Sequence, residues 1–339
     1  MDFYYSNEQL ALQDTLQRFI RRDYGFERRR ELAGSALGFS AEAWTQYAEL
    51  GLLSLPFPKE FGGLGGNAID IMLVMEQVGR GLLLEPFLST IVMCGGLIRD
   101  AASESLRGLV LPRIAAGELQ LALACYEALG RYDLSHVACT AVRTGDGGWR
   151  LTGQKTVVLD APSADMFLVT ARGDGNTGDT QGISLFLVGR QAAGLSLFAY
   201  PTQSGGRAAD VRLENVTLAD EALVGVPGRA LAIVERAVDR GVAALCAEAV
   251  GIIAALNEAT LCYLKTRKQF GVPIGKFQAL QHRMADMLIA AEQARSMAII
   301  AAVYVDSDDA VERRRAVSGA KPRRPGQSPP PVAGSNSST

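Results

Sequence analysis

The sequence predicts an α+β protein with a helical N-terminal domain, a small middle β domain and an incomplete C-terminal helical bundle. Apolar residues recur at helical spacing up to about Gly117, and the same spacing returns from Ala219 to about Ala320. Between these stretches the segments are short, rich in β-branched residues and separated by turn clusters. The predicted domains are 1–117, 118–217 and 218–320, followed by a tail at 321–339.

The composition is that of an ordinary soluble globular protein. The 339 residues fit two or three domains, with 48% hydrophobic and 21% charged residues. A formal net charge of -2 leaves no basic surplus for a nucleic-acid partner. The five cysteines are odd in number and form no C-x-x-C motif, so we expect neither a disulfide framework nor a metal site.

The N-terminus and the apolar runs favour a cytoplasmic protein without a membrane span. The first residues include acidic side chains and lack the apolar core of a signal peptide. The most apolar run, 242–256, is interrupted by Glu248 and is short for a bilayer. We interpret that run as a buried helix of the bundle.

The first helix has a clear start signal. Ser6 is the expected N-cap, and Gln9 stands at the capping-box position three residues later. Leu16 and Phe19 share one face of this helix, and the next helix is centred on Trp44.

A loop rich in proline and glycine follows, LPFPKEFGGLGGN at 55–67. Its glycines do not form a dinucleotide-binding fingerprint, because Ala68 stands where the third glycine belongs and no strand precedes the loop.

Seven short segments of the middle domain are the predicted strands, and turn clusters such as GDGG at 145–148 separate them. They read LALACY, ACTAVRT, WRLTG, KTVVL, MFLVT, ISLFLV and VRLENV.

Two long apolar helices meet at the joint 266–284. Apolar residues in steps of three and four precede it at Leu231, Val234, Val238, Val242, Leu245, Ala249, Ile252 and Leu256, and follow it at Leu280, Met284, Met287, Ala291 and Ala294. Gly271, with Pro273 two positions later, predicts the end of the first helix. A joint this short predicts antiparallel packing.

The joint carries an unusual density of hydrogen-bonding side chains, namely Arg267, Lys268, Gln269, Gln278, Gln281 and His282. Such a set suits an anionic, polar ligand. The alternative is that Arg267 and Lys268 only complement the helix dipole while the glutamines are solvated.

The tail changes character at Lys321 to PRRPGQSPPPVAGSNSST. Five prolines exclude a helix there, so we expect disorder. The abrupt change fits a helix continued in a wrong reading frame or a truncated gene, a hypothesis that resequencing the locus would test.

The joint as a string, R-K-Q-F-G-x-P-I-G-x-F-Q-x-x-Q followed by A-D-M at 285–287, closely resembles the acyl-CoA dehydrogenase family of flavoproteins. The P-x-x-x-G-G-x-G loop and the segment 75–86 are similar to the family's N-terminal helical domain. The resemblance covers roughly residues 1–320.

The resemblance implies FAD as cofactor and an acyl-CoA thioester as substrate. The implied reaction is α,β-dehydrogenation, in which a carboxylate takes the α proton and the flavin takes the β hydride. It further implies a homo- or hetero-oligomer with family relatives, and a flavoprotein electron carrier as a partner.

In the family, this joint contacts the FAD of a neighbouring subunit. Arg267 matches the arginine at the pyrophosphate, Phe270 the aromatic residue near the adenosine part, and Gln278 the glutamine on the adenine or ribose side. Gln269 stands where several relatives carry another polar contact.

The β domain matches less well. Where relatives carry T-E-P followed by G-S-D, this chain has CYEALGRYD at 125–133. The resemblance makes Tyr126 and Glu127 cofactor-binding candidates, although Tyr126 replaces the family's threonine. The family's G-Q-K-x-W-I-T segment reads GQKTVVL at 153–159, so the stacking aromatic and a hydroxyl partner of the flavin are missing. GQK alone we interpret only as a strand entry.

No catalytic base is identifiable, so the catalytic residue is unknown. Most relatives carry it in a helical region that would follow Ala320, and a minority carry it where this chain has Gly241. Glu248 lies about two turns further along that helix, and we expect it to be buried beside a cation. His136 and His282 have no hydrolytic arrangement around them, so each is expected to be structural.

Three functions remain open. The first is FAD-dependent dehydrogenation of an acyl-CoA. The second is a non-catalytic structural subunit of a heteromeric acyl-CoA dehydrogenase, or an inactive truncated member of the family. The third, a helical interaction module with a disordered tail, leaves the β domain and the RKQFG string unexplained.

Overall fold

The computed structural model describes residues 5–321, which fold as helices, then a sheet, then helices. This order confirms the predicted α+β class. The expected disordered tail, apart from residue 321, lies outside the described residues.

The N-terminal part is helical. It contains α1 (Asn7–Asp23), α2 (Phe26–Gly34), α3 (Ala41–Glu49), α4 (Ala68–Gly81), a π-helix (Leu88–Gly95), α5 (Gly96–Ala101) and α6 (Glu104–Ala115). The predicted capping box of α1 is confirmed: the Gln9 amide donates to Ser6 Oγ, and the Ser6 amide donates to Gln9 Oε1. Leu16 and Phe19 are buried, as their shared face predicts.

The sequence does not predict α2, which lies between α1 and the helix of Trp44. Leu32 is the one buried residue of this nine-residue helix, so its apolar periodicity is weak. Tertiary hydrogen bonds hold it instead: Arg29 donates to Leu82 O at 2.8 Å, and Arg207 of the β domain donates to Ser35 O at 2.6 Å.

The middle part is an eight-stranded sheet among the described residues. Its strands are β1 (Leu121–Ala124), β2 (Thr140–Arg143), β3 (Trp149–Leu159), β4 (Met166–Arg172), β5 (Ile183–Gly189), β6 (Leu195–Pro201), β7 (Arg207–Leu218) and β8 (Leu223–Val224). The strand order is β6-β7-β3-β2-β4-β5-β8, and β1 pairs in parallel with β4.

Two predictions for this sheet are corrected. WRLTG and KTVVL are one eleven-residue strand, β3, which register shifts near Gly153 and Val157 interrupt without ending it. The sequence does not predict β6, because this edge strand has a largely exposed, irregular burial pattern instead of a clean alternation.

The C-terminal part consists of α7 (Leu231–Thr266), the hairpin β9 (Lys268–Gln269) and β10 (Val272–Pro273), α8 (Gln278–Tyr304) and α9 (Ala310–Ala320). α7 ends at Thr266, before the predicted stop at Gly271, because the chain forms the hairpin first. Gly271 occupies the tip of the hairpin with φ of 77°.

Helix α4 packs on α7 so closely that both helices need a glycine at the crossing. A Cβ on Gly79 would lie 1.9 Å from the carbonyl oxygen of Glu248, and one on Gly251 would lie 1.9 Å from that of Glu76. The two backbones therefore touch, which fixes the N-terminal helices against the C-terminal ones.

Helices α7 and α8 are each long and apolar enough to cross a membrane by length and composition, a test that core helices of soluble proteins also pass. In α7 only a third of the most apolar window is buried, and Leu256 is 58% exposed. The prediction that 242–256 is a buried helix is therefore correct only for the faces that pack on α4, α8 and α9.

Candidate functional site

The joint between α7 and α8 is a two-stranded hairpin with an exposed tip. The Arg267 amide donates to Tyr263 O at 2.9 Å, and the Ile274 amide donates to Arg267 O at 2.8 Å. The first bond ends α7, and the second closes the hairpin around Phe270 and Gly271, which both have positive φ. The left-handed conformation of Phe270 is uncommon for a residue with a side chain, and it turns the ring outward.

The joint displays all four side chains that the resemblance assigns to cofactor binding. Arg267, Gln269 and Gln278 are exposed, and Phe270 is 91% exposed with its ring edge-on to Phe277. Among the described residues, the side chains of Arg267, Gln269 and Gln278 have no hydrogen-bond partner in the chain. The joint therefore leaves these polar groups available to a ligand or to a neighbouring subunit.

The first turn of α8 adds to the anion-binding character of the joint. Gln278 begins this 27-residue helix, and no side chain caps it. Free N–H groups at a helix start carry partial positive charge and bind phosphate groups. The guanidinium of Arg267 in the same joint adds a full charge with a geometry that suits phosphate oxygens.

The other two predicted residues form a second group, in the turn after β1. The carboxylate of Glu127 accepts hydrogen bonds from the amides of Ala138 and Cys139, at 2.8 and 3.0 Å. Lys155 Nζ lies 2.6 Å from the same carboxylate. Because protein groups occupy both oxygens of Glu127, this residue holds the turn in place and does not offer its charge to a ligand.

Tyr126 lies at the edge of this turn, half-buried. Its carbonyl oxygen accepts a hydrogen bond from the Thr156 amide at 2.9 Å, and its ring meets that of Tyr132 edge-on at 6.4 Å. Burial, with the nearby Cys125 and Tyr132, raises the pKa of Tyr126 to about 12. At neutral pH the phenol keeps its proton and can donate a hydrogen bond.

The segment GQKTVVL lies inside β3, so the interpretation of GQK as a strand entry is wrong. Lys155 is fully buried at the ion pair with Glu127, which places the segment in the middle of the sheet. Beyond it, Val157 and Leu159 are 53% and 41% exposed, next in sequence to the buried Val158. The segment thus presents aliphatic side chains where relatives carry an aromatic residue and a hydroxyl.

Position 241 of α7 has no room for a larger side chain without movement of its neighbour. A Cβ on Gly241 would lie 3.1 Å from Met93 Sδ, closer than normal contact. Met93 comes from the π-helix, a structure that often occurs at functional sites. No pattern in the sequence identifies Met93, because its position depends on the irregular turn of that helix.

Glu248 is expected to be buried beside a cation, and the structure does not show that arrangement. It is half-buried, but within residues 5–321 no cation forms an ion pair with it, because its turn of α7 packs on the glycine side of α4. Burial raises the pKa of its carboxyl group. His136 packs against Gly130 in the turn after β1, and His282 is exposed on α8.

A second carboxylate with a raised pKa lies directly after the aliphatic segment. Asp160 Oδ2 accepts a hydrogen bond from Ser89 Oγ of the π-helix at 2.5 Å, across the boundary between the helices and the sheet. Burial raises the pKa of Asp160 to about 6, against the lowering effect of that hydrogen bond. The sequence pattern does not identify Asp160, whose one signal is an aspartate in the turn after a strand.

Three family models match consecutive parts of the chain. The model described as acyl-CoA dehydrogenase, N-terminal domain, matches residues 6–118, the middle domain matches 122–217, and the C-terminal domain matches 229–323.

Individual relatives agree with these matches. The chain is 31% identical to the short-chain specific acyl-CoA dehydrogenase of Clostridium acetobutylicum over 273 residues, which are 78% of this chain and 70% of the relative. Two solved structures are each 26% identical and cover 94% of the chain. The FAD complex of PigA has a TM-score of 0.84 with 84% of its own chain covered, and the ChsE4-ChsE5 complex from Mycobacterium tuberculosis has 0.82 with 83% covered.

Proposed function

Because the chain belongs to the acyl-CoA dehydrogenase family, we propose that it is an FAD-dependent oxidoreductase that dehydrogenates an acyl-CoA thioester between its α and β carbons. The family and its solved neighbours indicate FAD as the cofactor. The observation that carries the proposal is the joint between α7 and α8, which displays Arg267, Phe270 and Gln278 to the outside.

The residues of the joint fit the outer parts of FAD. Arg267 and the uncapped start of α8 would hold the pyrophosphate, because both present positive charge to phosphate oxygens. Phe270 would contact the adenosine part, while Gln269 and Gln278 would donate or accept hydrogen bonds there. Since the joint is the exposed end of two long helices, we propose that the FAD it serves belongs to a neighbouring subunit.

The β domain would receive the flavin ring of this chain's own FAD. Tyr126 would donate a hydrogen bond from its phenolic hydroxyl to the edge of the flavin ring, and Val157 with Leu159 would form an apolar surface beneath the ring. Glu127 would act indirectly, by holding the turn that carries Tyr126. When bound, the flavin supplies a hydride acceptor, while protein groups must orient the thioester and remove its α proton.

The proposal is tested by removing the charge at the joint. Arg267→Ala should lower the FAD retained per chain after gel filtration of the assembly. Lys268→Ala is the matched control, because it removes a neighbouring exposed cation from the same hairpin. Equal retention by the two variants would show that Arg267 does not bind the cofactor.

A second candidate function is a non-catalytic subunit that completes the flavin site of a relative. Gly241 favours this subunit role, because the helix position that holds the catalytic base in some relatives carries no carboxylate here. Position 241 instead faces Met93. One solved neighbour, the ChsE4-ChsE5 complex, is an assembly of two different chains. Such a subunit would be colourless alone and would raise the flavin content only when mixed with a complete relative.

Partners and location complete the proposal. We propose that the chain forms an oligomer with copies of itself or with relatives, passes electrons to a flavoprotein carrier, and works in the cytoplasm without crossing a membrane. The half-exposed apolar faces of α7 and α8 would then be subunit contacts, which size-exclusion chromatography with light scattering can test.

A further inference from the structure

A β-bulge interrupts β3 at the aliphatic segment. Lys155 pairs with Val211 of β7, and Val158 pairs with Ala209. Two residues of β3, Thr156 and Val157, therefore lie opposite a single residue of β7, which is Asp210. A bulge of this kind leaves one strand residue out of the ladder and changes the direction of the side chains that follow.

The bulge decides which side chains of β3 reach the surface. Lys155 and Val158 are both buried, although three positions separate them and a regular strand would direct them to opposite faces. Val157 and Leu159 consequently face outward and are 53% and 41% exposed. In a regular strand without the bulge, alternate residues share a face, so Val157 and Leu159 would point inward with Lys155.

The carboxylate of Asp210 holds this bulge. The Val157 amide, which the bulge removes from the ladder, donates to Asp210 Oδ1 at 3.2 Å. Tyr200 of the edge strand β6 donates its hydroxyl to the same oxygen at 3.0 Å, which orients the carboxylate. The neighbouring Thr156 amide donates instead to Tyr126 O.

The conformation that Asp210 maintains is strained. Val157 has φ of 52°, in the left-handed region, where a β-branched side chain is a genuine outlier. Such strain persists only when the surroundings fix the backbone, and it concentrates at functional sites.

We infer that Asp210 is a positioning residue for the flavin ring, because its hydrogen bond to the Val157 amide keeps Val157 and Leu159 displayed as the surface on which the ring rests. This inference rests on the proposed function, since it takes FAD as the ligand of that surface. Asp210 itself faces the bulge and does not touch the cofactor. Loss of its carboxylate lets the bulge relax and withdraws the aliphatic pair.

Three variants test the inference. Asp210→Ala removes the acceptor, whereas Asp210→Asn keeps an amide oxygen that can accept the same N–H. Glu214→Ala is the matched control, because it removes an exposed carboxylate from the same strand, where Glu214 pairs with Arg212. Two readouts are compared: hydrogen exchange of the Val157 amide in protein free of FAD, and the affinity and absorption spectrum of added FAD.

The exchange readout does not depend on the cofactor. Asp210→Ala should speed exchange at Val157 by about 10-fold while Thr156 is unchanged, because only the Val157 amide loses its partner. Asp210→Asn and Glu214→Ala should leave both amides unchanged. Unchanged exchange in Asp210→Ala would overturn the role of Asp210 in the bulge.

The cofactor readout decides the role in positioning. Asp210→Ala should weaken FAD binding by about 10-fold and shift the flavin absorption band, and Asp210→Asn should restore both. If the wild type binds FAD and Asp210→Ala binds it with unchanged affinity and spectrum, the inference about Asp210 is overturned and the proposed function is not. If the wild type takes up no FAD in any assembly, the proposed function fails, and the positioning role fails with it even where the exchange result stands.

Discussion

Lys155 and Glu127 form a buried ion pair at the centre of the β domain. The Nζ to Oε1 distance is 2.6 Å, and the two side chains are 0% and 8% exposed. Thr170 Oγ1 lies 2.9 Å from the same Nζ, so the pair joins the turn after β1 to strands β3 and β4. Both segments that we propose to face the flavin ring, Tyr126 and the Val157 bulge, are therefore anchored at one point.

Replacing Lys155 by Met should destabilise the protein strongly. The substitution leaves the Glu127 carboxylate buried without its cation, a change that lowers the free energy of unfolding by roughly 3–5 kcal/mol. Urea unfolding, monitored by circular dichroism, measures this change in the free energy of unfolding. Arg212→Ala, which breaks an exposed pair with Glu214, should cost less than about 1 kcal/mol. Similar losses for both variants would contradict the structural role of Lys155.

Replacing Val157 by Asn should stabilise the protein. Asparagine tolerates the left-handed conformation better than a β-branched residue, and Val157 is half-exposed, so about 1 kcal/mol of strain is relieved with little burial lost. Thermal unfolding measures the gain. Val142→Asn is the control, because Val142 is 50% exposed in the short strand β2, away from any bulge. A lower melting temperature for Val157→Asn than for wild type would mean that position 157 is not strained.

Asp160 should make stability depend on pH between about 4 and 6. Its pKa is raised from 3.8 in the unfolded chain to about 6, so the folded state holds a proton that the unfolded state has already lost. The folded state is therefore stabilised at low pH, and this stabilisation is lost as pH rises through the folded pKa.

Asp160→Asn removes the titration and keeps an oxygen that can accept from Ser89. The variant should exceed wild type in unfolding free energy at pH 7 by on the order of 1–2 kcal/mol, and the difference should vanish near pH 4. Denaturant unfolding of the variant and the wild type at a series of pH values measures this difference in unfolding free energy. An advantage that is constant across this range would show that the Asp160 carboxyl is not the cause.

A carboxylate introduced at position 241 should raise the rate of flavin reduction by acyl-CoA most strongly when Met93 is also shortened. Gly241→Glu alone meets Met93 Sδ, whereas Gly241→Glu with Met93→Ala gives the new side chain space. The double variant in an FAD-loaded assembly should raise the rate of flavin reduction by about 10-fold or more, the scale of a positioned general base. Anaerobic stopped-flow absorbance measures the rate, with Met93→Ala as control. Equal rates for the control and the double variant would show that position 241 does not face the substrate.

The sequence predicts the fold well where apolar periodicity is strong. Helices α1, α7 and α8 and most strands of the β domain follow from it, and the Ser6 capping box marks the start of α1. The sequence does not predict α2 or β6, because tertiary hydrogen bonds of Arg29 and Arg207 hold α2 and because β6 is an exposed edge strand. The exact domain boundaries, 1–117, 118–217 and 218–320, stay a prediction that limited proteolysis can test.

The candidate site is predictable only in part. The motif around Arg267 identifies the joint, and the structure adds that the side chains of Arg267, Gln269 and Gln278 are exposed and have no hydrogen-bond partner among the described residues. The positions of Met93, Asp160 and Asp210 could not be predicted, because each depends on an irregularity: a π-helix, a left-handed turn or a bulge. Local periodicity carries no information about such irregularities, which tertiary contacts select.

The most direct test of the proposed function is the visible spectrum of the purified chain, first alone and then assembled with a complete relative, as saturated acyl-CoA is added without oxygen. We expect a flavin band in the assembly that bleaches with acyl-CoA and weakens when Arg267 is replaced by Ala. A band in the isolated chain would identify it as an enzyme by itself, whereas a band that appears only with the relative would support the subunit role. Protein that stays colourless in both states after incubation with FAD would show that the chain neither binds FAD nor completes a flavin site.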